Sequence, residues 1–166
     1  DTVLKINGNV VNEGGTMAFI AHGDNVGTIA INGKLSGNKT IAVNPNGSYL
    51  PGDSYQVSGL VTVKDSPVEF EEAVPYKTCM LKAVYGDEFG GKYSSISFEA
   101  ENNLNSNDPD VNAAFEEMKN LAEFVSDRDS ENFAKLYALD REKAVKALKS
   151  IKARENANIP AVMQQN

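Results

Sequence analysis

The side chains in this chain that could do chemistry are few and scattered. His22 is the single histidine, in Ala21-His22-Gly23-Asp24, where a strand meets a turn. Cys79 is the single cysteine, inside the apolar run Cys79-Met80-Leu81. Nucleophilic catalysis needs a base held against a nucleophile, and no spacing in the chain brings His22 to Cys79. A zinc site needs three or four nitrogen or sulfur ligands; one histidine, one cysteine and no HExxH do not supply them. Cys79 reads as a small buried hydrophobe and has no partner for an intrachain disulfide.

Oxygen donors recur at calcium-like intervals from Asn105 through Glu116. The sixth position, where an EF-hand loop needs Gly for its sharp turn, is occupied by Asp110, and a capped helix start explains the same acids more simply. Glu69 and Glu71 flank Phe70 at strand spacing on a wet face. Glycoside hydrolysis needs two carboxylates facing across a cleft, and no such pair stands out. Two sequons occur, Asn38-Lys39-Thr40 and Asn46-Gly47-Ser48, but with 18 Asn in the chain about two arise by chance, so they decide nothing. The expectation is a chain that is not an enzyme, with no catalytic residue, no metal and no cofactor.

The elements that would carry these residues change character at Asn102. Up to Glu101 apolar and polar residues alternate and turns are frequent; from Asp108 apolar residues recur every three or four positions. Strands are predicted at Val3–Ile6, Val10–Val11, Met17–Ala21, Thr28–Leu35, Thr40–Val43, Tyr55–Lys64, Val68–Ala73, Lys77–Tyr85 and Tyr93–Glu101. Turns such as Asn7-Gly8, Asn32-Gly33, Asn46-Gly47 and Pro51-Gly52-Asp53 separate them. This spacing predicts a mainly β body over residues 1–101, an antiparallel β-sandwich of jelly-roll or immunoglobulin-like type. Residues 102–166 form a helical appendage of about three helices packed on the sandwich, α+β overall. Asp108 followed by Pro109 and Asp110 starts the first helix, with Val111, Ala114, Phe115, Met118, Leu121, Ala122 and Val125 on its inward stripe. A second spans Ser130–Leu139. The third is capped by Asp140 and runs to about Arg154, its outward face carrying Lys143, Lys146, Lys149 and Lys152; the tail beyond is extended or mobile. No internal repeat is evident.

The 166 residues carry 16 basic and 23 acidic side chains, net −7, which disfavours a nucleic-acid partner. The charge is uneven: residues 1–140 hold 10 basic and 21 acidic residues, and residues 141–166 hold 6 and 2. An acidic body with a basic end can attract its own copies. No apolar run is long enough to span a bilayer. The chain begins at Asp1 rather than Met, which means either a boundary cut in a longer chain or a processed, exported mature end.

The Pro51-Gly52-Asp53 turn, the strand end Ala83-Val84-Tyr85-Gly86-Asp87, the late strand Ser95–Glu101 and the helical Leu136-Tyr137-Ala138-Leu139 together resemble the camelysin/TasA family of exported matrix proteins. That resemblance implies a secreted or cell-surface jelly roll that assembles into extracellular fibres, in which an N-terminal strand of one subunit completes its neighbour's sheet. Residues 1–6 are a short apolar strand suited to such a contact. The expected function is therefore a structural subunit of an extracellular filament or biofilm matrix, a homopolymer whose contacts involve Val3, Leu4 and Ile6 at one end and Lys143, Lys146, Lys149 and Lys152 at the other. The alternatives are a virion tail-tube or decoration subunit and, behind it, an adhesive or carbohydrate-binding module, which the absence of Trp disfavours.

Overall fold

In the computed structural model the described residues are 2–22, 25–121 and 127–164. Among the described residues fourteen strands precede three helices: β1 (Val3–Asn7), β2 (Val10–Asn12), β3 (Met17–His22), β4 (Asn25–Val26), β5 (Thr28–Asn32), β6 (Leu35–Gly37), β7 (Thr40–Pro45), β8 (Ser54–Gln56), β9 (Val61–Val63), β10 (Ser66–Pro67), β11 (Glu72–Ala73), β12 (Tyr76–Lys77), β13 (Leu81–Gly86), β14 (Ser95–Ala100), α1 (Pro109–Leu121), α2 (Asp127–Tyr137) and α3 (Arg141–Gln164). The chain folds as two compact units. One comprises Asp1–Gly47, Gly52–Lys77 and Lys82–Glu99; the other comprises Ser48–Pro51, Thr78–Leu81 and Ala100–Asn166.

The first unit departs from the expected antiparallel sandwich in the direction of its strands. β1 pairs with β5 in parallel, Val3 against Thr28 through Asn7 against Asn32, and β5 pairs in parallel with β9. β2 lies parallel to β6, β3 to β7, and β7 to β11. Each strand thus meets the strand one coil later, 24 or 25 residues on from the first coil to the second and 32 from the second to the third, and the chain winds through three faces: β1-β5-β9, β2-β6 and β3-β7-β11. Parallel neighbours need a crossover of a dozen or more residues, and the other two sides of each coil provide it. This is a short parallel β-helix. Alternation of apolar and polar residues has a period of two in parallel and antiparallel strands alike, so the pattern could not reveal direction.

The corners explain why the coils stay in register. The corner after β1, Asn7-Gly8-Asn9, stacks on Asn32-Gly33-Lys34: Gly8 N–H donates to Asn32 O at 3.2 Å, Val10 N–H to Lys34 O at 2.8 Å, and Lys34 N–H to Asn9 Oδ1 at 2.9 Å. The next corner is one residue longer in the first coil, and an asparagine brace absorbs the mismatch. Asn12 Nδ2 donates to Gly15 O at 3.0 Å and Asn38 O at 2.9 Å, while Asn38 Oδ1 accepts from Gly14 N–H at 2.9 Å. The coils therefore carry a repeat, Ile6-Asn7-Gly8 with Ile31-Asn32-Gly33 and Thr16-Met17-Ala18 with Thr40-Ile41-Ala42, contrary to the expectation of none.

Three long predicted strands are broken, one of them Lys77–Tyr85, which is interrupted between Lys77 and Leu81. The Thr28–Leu35 segment turns at Gly33, and the Tyr55–Lys64 segment turns at Ser58-Gly59, where Gly59 has φ +86°. The Val68–Ala73 segment keeps only Glu72–Ala73 as strand. The sheet β12-β13-β14-β8 is antiparallel where β12 meets β13 and β14 meets β8. On β14, Ile96 and Phe98 are buried as the alternation predicts, and Phe98 lies 6.1 Å from the Tyr55 ring.

In the second unit Asp108 caps α1 and Asp140 caps α3. Asp108 Oδ1 accepts from Asp110 N–H and Asp140 Oδ1 from Lys143 N–H, both at 2.9 Å. Val111, Ala114, Phe115 and Met118 are buried on α1, and Tyr137, Ala144 and Leu148 on the helices that follow. Leu121, placed inward by the periodicity, is exposed at the helix end. α3 continues to Gln164 rather than stopping near Arg154; Pro160 removes one N–H donor without ending the helix.

Candidate assembly surface

The first coil, β1 to β3, differs from the next in its side chains and in its outer edges. On the β1 face, the register stacks Leu4 on Ile29 and Val61, and Ile6 on Ile31 and Val63. Ile31 and Val61 are buried, so this parity faces the core, yet Leu4 is 56% exposed and Ile6 half-buried, with no further strand stacked on them among the described residues. The outer edge of β1 carries no partner strand among the described residues, and the same holds for β2 and for β3 from Met17 to Ile20. Such edges are rows of unpaired N–H and C=O groups.

Three outward positions of the same coil are also apolar. Val3, Val11 and Ile20 are 51%, 63% and 61% exposed, one on each face. One coil deeper the register partners are polar: Thr28 beside Val3, Ser36 beside Val11 and Asn44 beside Ile20. Each face of the first coil thus carries one apolar outward residue where the next coil is polar, while Lys5 beside Ala30 runs the other way. The remaining large exposed apolar residues, Val74, Phe89 and Leu121, are separated along the chain, and singly exposed hydrophobes are ordinary on protein surfaces.

Charge supports the same location. Residues 2–21 hold one base, Lys5, and one acid, Glu13, in a chain of net charge −7. Two acidic copies meet with least repulsion there.

The basic helix is only partly available. Lys152 Nζ lies 3.2 Å from Glu117 Oε1 and is half-buried, and Lys149 Nζ lies 3.8 Å from Asp108 Oδ2. Both tie α3 to α1 or its cap, so Lys152 does not belong to an outward stripe. Lys143 and Lys146 are exposed, with no ion pair among the described residues.

Among the described residues, those with chemical potential are not gathered. The side chain of His22 lies outside the described residues. The Cys79 Sγ lies 3.1 Å from Leu139 O, to which the thiol donates. Burial raises its pKa, with Asp140 adding to that and the Cys79 backbone and Arg141 opposing it, which keeps it a protonated, unreactive thiol. The donors around Asn105–Asp110 serve the helix start: Ser106 Oγ accepts from Asp108 N–H at 3.2 Å, and Asn112 Nδ2 donates to Ser106 O at 3.0 Å. Among the described residues no group of three His, Cys, Asp or Glu is placed to hold a metal, and no helix is long and apolar enough to cross a membrane.

The first-coil surface was only half legible beforehand. Val3, Leu4 and Ile6 follow from their position in an apolar strand, but Val11 and Ile20 do not. The signal that finds them is the repeat: aligning Ile6-Asn7-Gly8 with Ile31-Asn32-Gly33 sets Val11 against Ser36, and aligning Thr16-Met17-Ala18 with Thr40-Ile41-Ala42 sets Ile20 against Asn44. No family model, curated protein or solved structure matches the chain.

Proposed function

We propose that this chain is a structural subunit that assembles with copies of itself through the first coil of its β-helix, as part of a secreted or cell-surface filament or matrix. The observation that carries the reading is the apolar-for-polar exchange on the first coil, Val3, Val11 and Ile20 where the next coil has Thr28, Ser36 and Asn44. Stacked repeats bury their faces against neighbours, and a terminal repeat that faces water is ordinarily polar. Here each face of the first coil carries a large apolar outward residue, as a surface meant to be covered would. β1 keeps its place beside β5 and offers its other edge, so contact by edge pairing replaces the donated strand that the matrix-protein resemblance implies. Lys143 and Lys146 supply a second, electrostatic contact to the acidic surface of another copy, which is what extends a pair into a polymer.

The test uses the second coil as its template. In the triple variant Val3→Thr, Val11→Ser, Ile20→Asn, each first-coil residue takes the identity of its register partner. Electron microscopy and light scattering of the parent protein should show oligomers or filaments, and the triple variant should be a folded monomer by circular dichroism. A parent that stays monomeric at millimolar concentration, or a triple variant that assembles as well as the parent, sinks the reading.

A further inference from the structure

We infer that the hollow beside the loop from β13 to β14 binds a quaternary ammonium group, whether or not the chain assembles. Phe89 marks the place. One exposed hydrophobe is ordinary, but this ring is 48% exposed on a loop that is tied back on itself. Phe89 N–H donates to Ser94 Oγ at 3.0 Å, Gly90 N–H to Asp87 O at 3.1 Å and Ser94 N–H to Gly86 O at 2.9 Å. Beside the ring lies a hollow of about 330 Å³, lined among others by Ser58, Glu69, Phe70, Phe89, Lys92 and Tyr93. That size is at the lower end of small-molecule sites. Three aromatic rings that the sequence leaves scattered therefore border one space, with Phe70 buried and Phe89 facing water.

The chemistry that suits this space is already on display. Lys92 Nζ lies over the Tyr93 ring, 5.4 Å from its centroid, and the face of an aromatic ring attracts a cation. Tyr93 is held in place by Tyr85, the two rings edge to face with centroids 5.9 Å apart. Charge around the hollow has the matching sign. Residues 67–72 and 87–94 carry five acids, Glu69, Glu71, Glu72, Asp87 and Glu88, against the single base Lys92, so the field there draws cations in. A bare metal ion needs several oxygen ligands at once, and no group of three acids is placed to hold one among the described residues. A primary ammonium is strongly hydrated and wants acceptors for its three N–H groups. A trimethylammonium group has no N–H to satisfy and sets methyl groups against the rings, which is the cation that aromatic walls take. Lys92 is then a tethered competitor: its side chain is exposed, so it swings aside, and while it stays its charge repels the ligand.

Titration with choline chloride, followed by amide NMR shifts over residues 89–94, tests the site. Binding should be saturable, and the uncharged carbon analogue 3,3-dimethyl-1-butanol should bind several-fold more weakly. Phe89→Ala and Glu69→Gln should each weaken choline binding about two- to fivefold, and Lys92→Ala should tighten it by a similar factor, the range of one exposed cation–ring contact. All three side chains are exposed, so circular dichroism should show the parent fold in each variant. Phosphatidylcholine and phosphatidylglycerol vesicles separate the sources of the group. Cosedimentation with the first alone assigns it to a lipid head and cosedimentation with neither to a free compound, the same cation chemistry holding in both. No saturable binding of choline at millimolar concentration, equal binding of the uncharged analogue, or weaker binding by Lys92→Ala overturns the inference.

Discussion

The carbonyl of Gly8 occupies the place that a β-carbon on Gly33 would need: a methyl built on Gly33 collides with Gly8 O and C and reaches Asn9 N at 3.0 Å. The two residues are the same position of successive coils, and their contact sets how closely the coils stack. Gly33→Ala should therefore cost about 1–3 kcal/mol, the range for forcing an extra carbon into a packed site. Gly14→Ala, where φ is +74° and no atom lies within 4 Å, should cost about 1 kcal/mol from backbone preference alone. Urea unfolding of the two variants measures the difference; equal losses would contradict the stacking role of Gly33.

Tyr85 closes a backbone gap. Its hydroxyl accepts from Val43 N–H at 3.0 Å, just past the point where β11 ends its pairing with β7 at Thr40 and Ile41. Val43 is fully buried, so Tyr85→Phe leaves its N–H without that acceptor. The expected loss is about 1–3 kcal/mol. Amide exchange should read it locally, as faster exchange at Val43 than at Ile41.

Tyr137 ties stability to alkaline pH. Its side chain is fully buried, its hydroxyl finds no hydrogen-bond partner among the described residues, and burial pushes its pKa up to about 12. The unfolded chain releases this proton near pH 10, while the folded chain holds it. Between about pH 10 and 12 the folded state therefore binds more protons, and stability falls as pH rises; below pH 10 the group contributes no slope. Tyr137→Phe should remove its part of that alkaline loss and raise stability at neutral pH by about 1 kcal/mol, since the hydroxyl is buried without compensation. Thermal melts from pH 8 to 12.5 check both; an unchanged slope for the variant would refute the assignment.

The two proposed contacts should separate by salt. Lys143 and Lys146 act through exposed charge, which is screened as the Debye length falls from about 10 Å at 0.1 M to about 3 Å at 1 M ionic strength. The first-coil contact is apolar and hydrogen-bonded. Raising NaCl to 1 M should break polymers down to dimers and no further, and Lys143→Glu with Lys146→Glu should do so at low salt. Sedimentation across the salt series gives the answer; monomers at 1 M would place charge at the first-coil contact.

Much of the local structure could be read from residues alone because local physics decides it. Asp108-Pro109-Asp110 starts a helix wherever it sits, since the cap, the fixed φ and the first-turn acid all act within a few residues. Ile96 and Phe98 face inward because a strand has two sides. Val3, Leu4 and Ile6 form a strand for the same reason. What residue types left open was which strand lies beside which, and in what direction. A period of two is common to parallel and antiparallel pairing, so the alternation that predicted strands also permitted the wrong sheet. Only the folded chain set Val11 beside Ser36 and Ile20 beside Asn44, because that register depends on contacts about 25 residues apart. It likewise drew Lys149 and Lys152 into ion pairs with Asp108 and Glu117, since a lysine on a helix finds its partner only when another helix is packed against it.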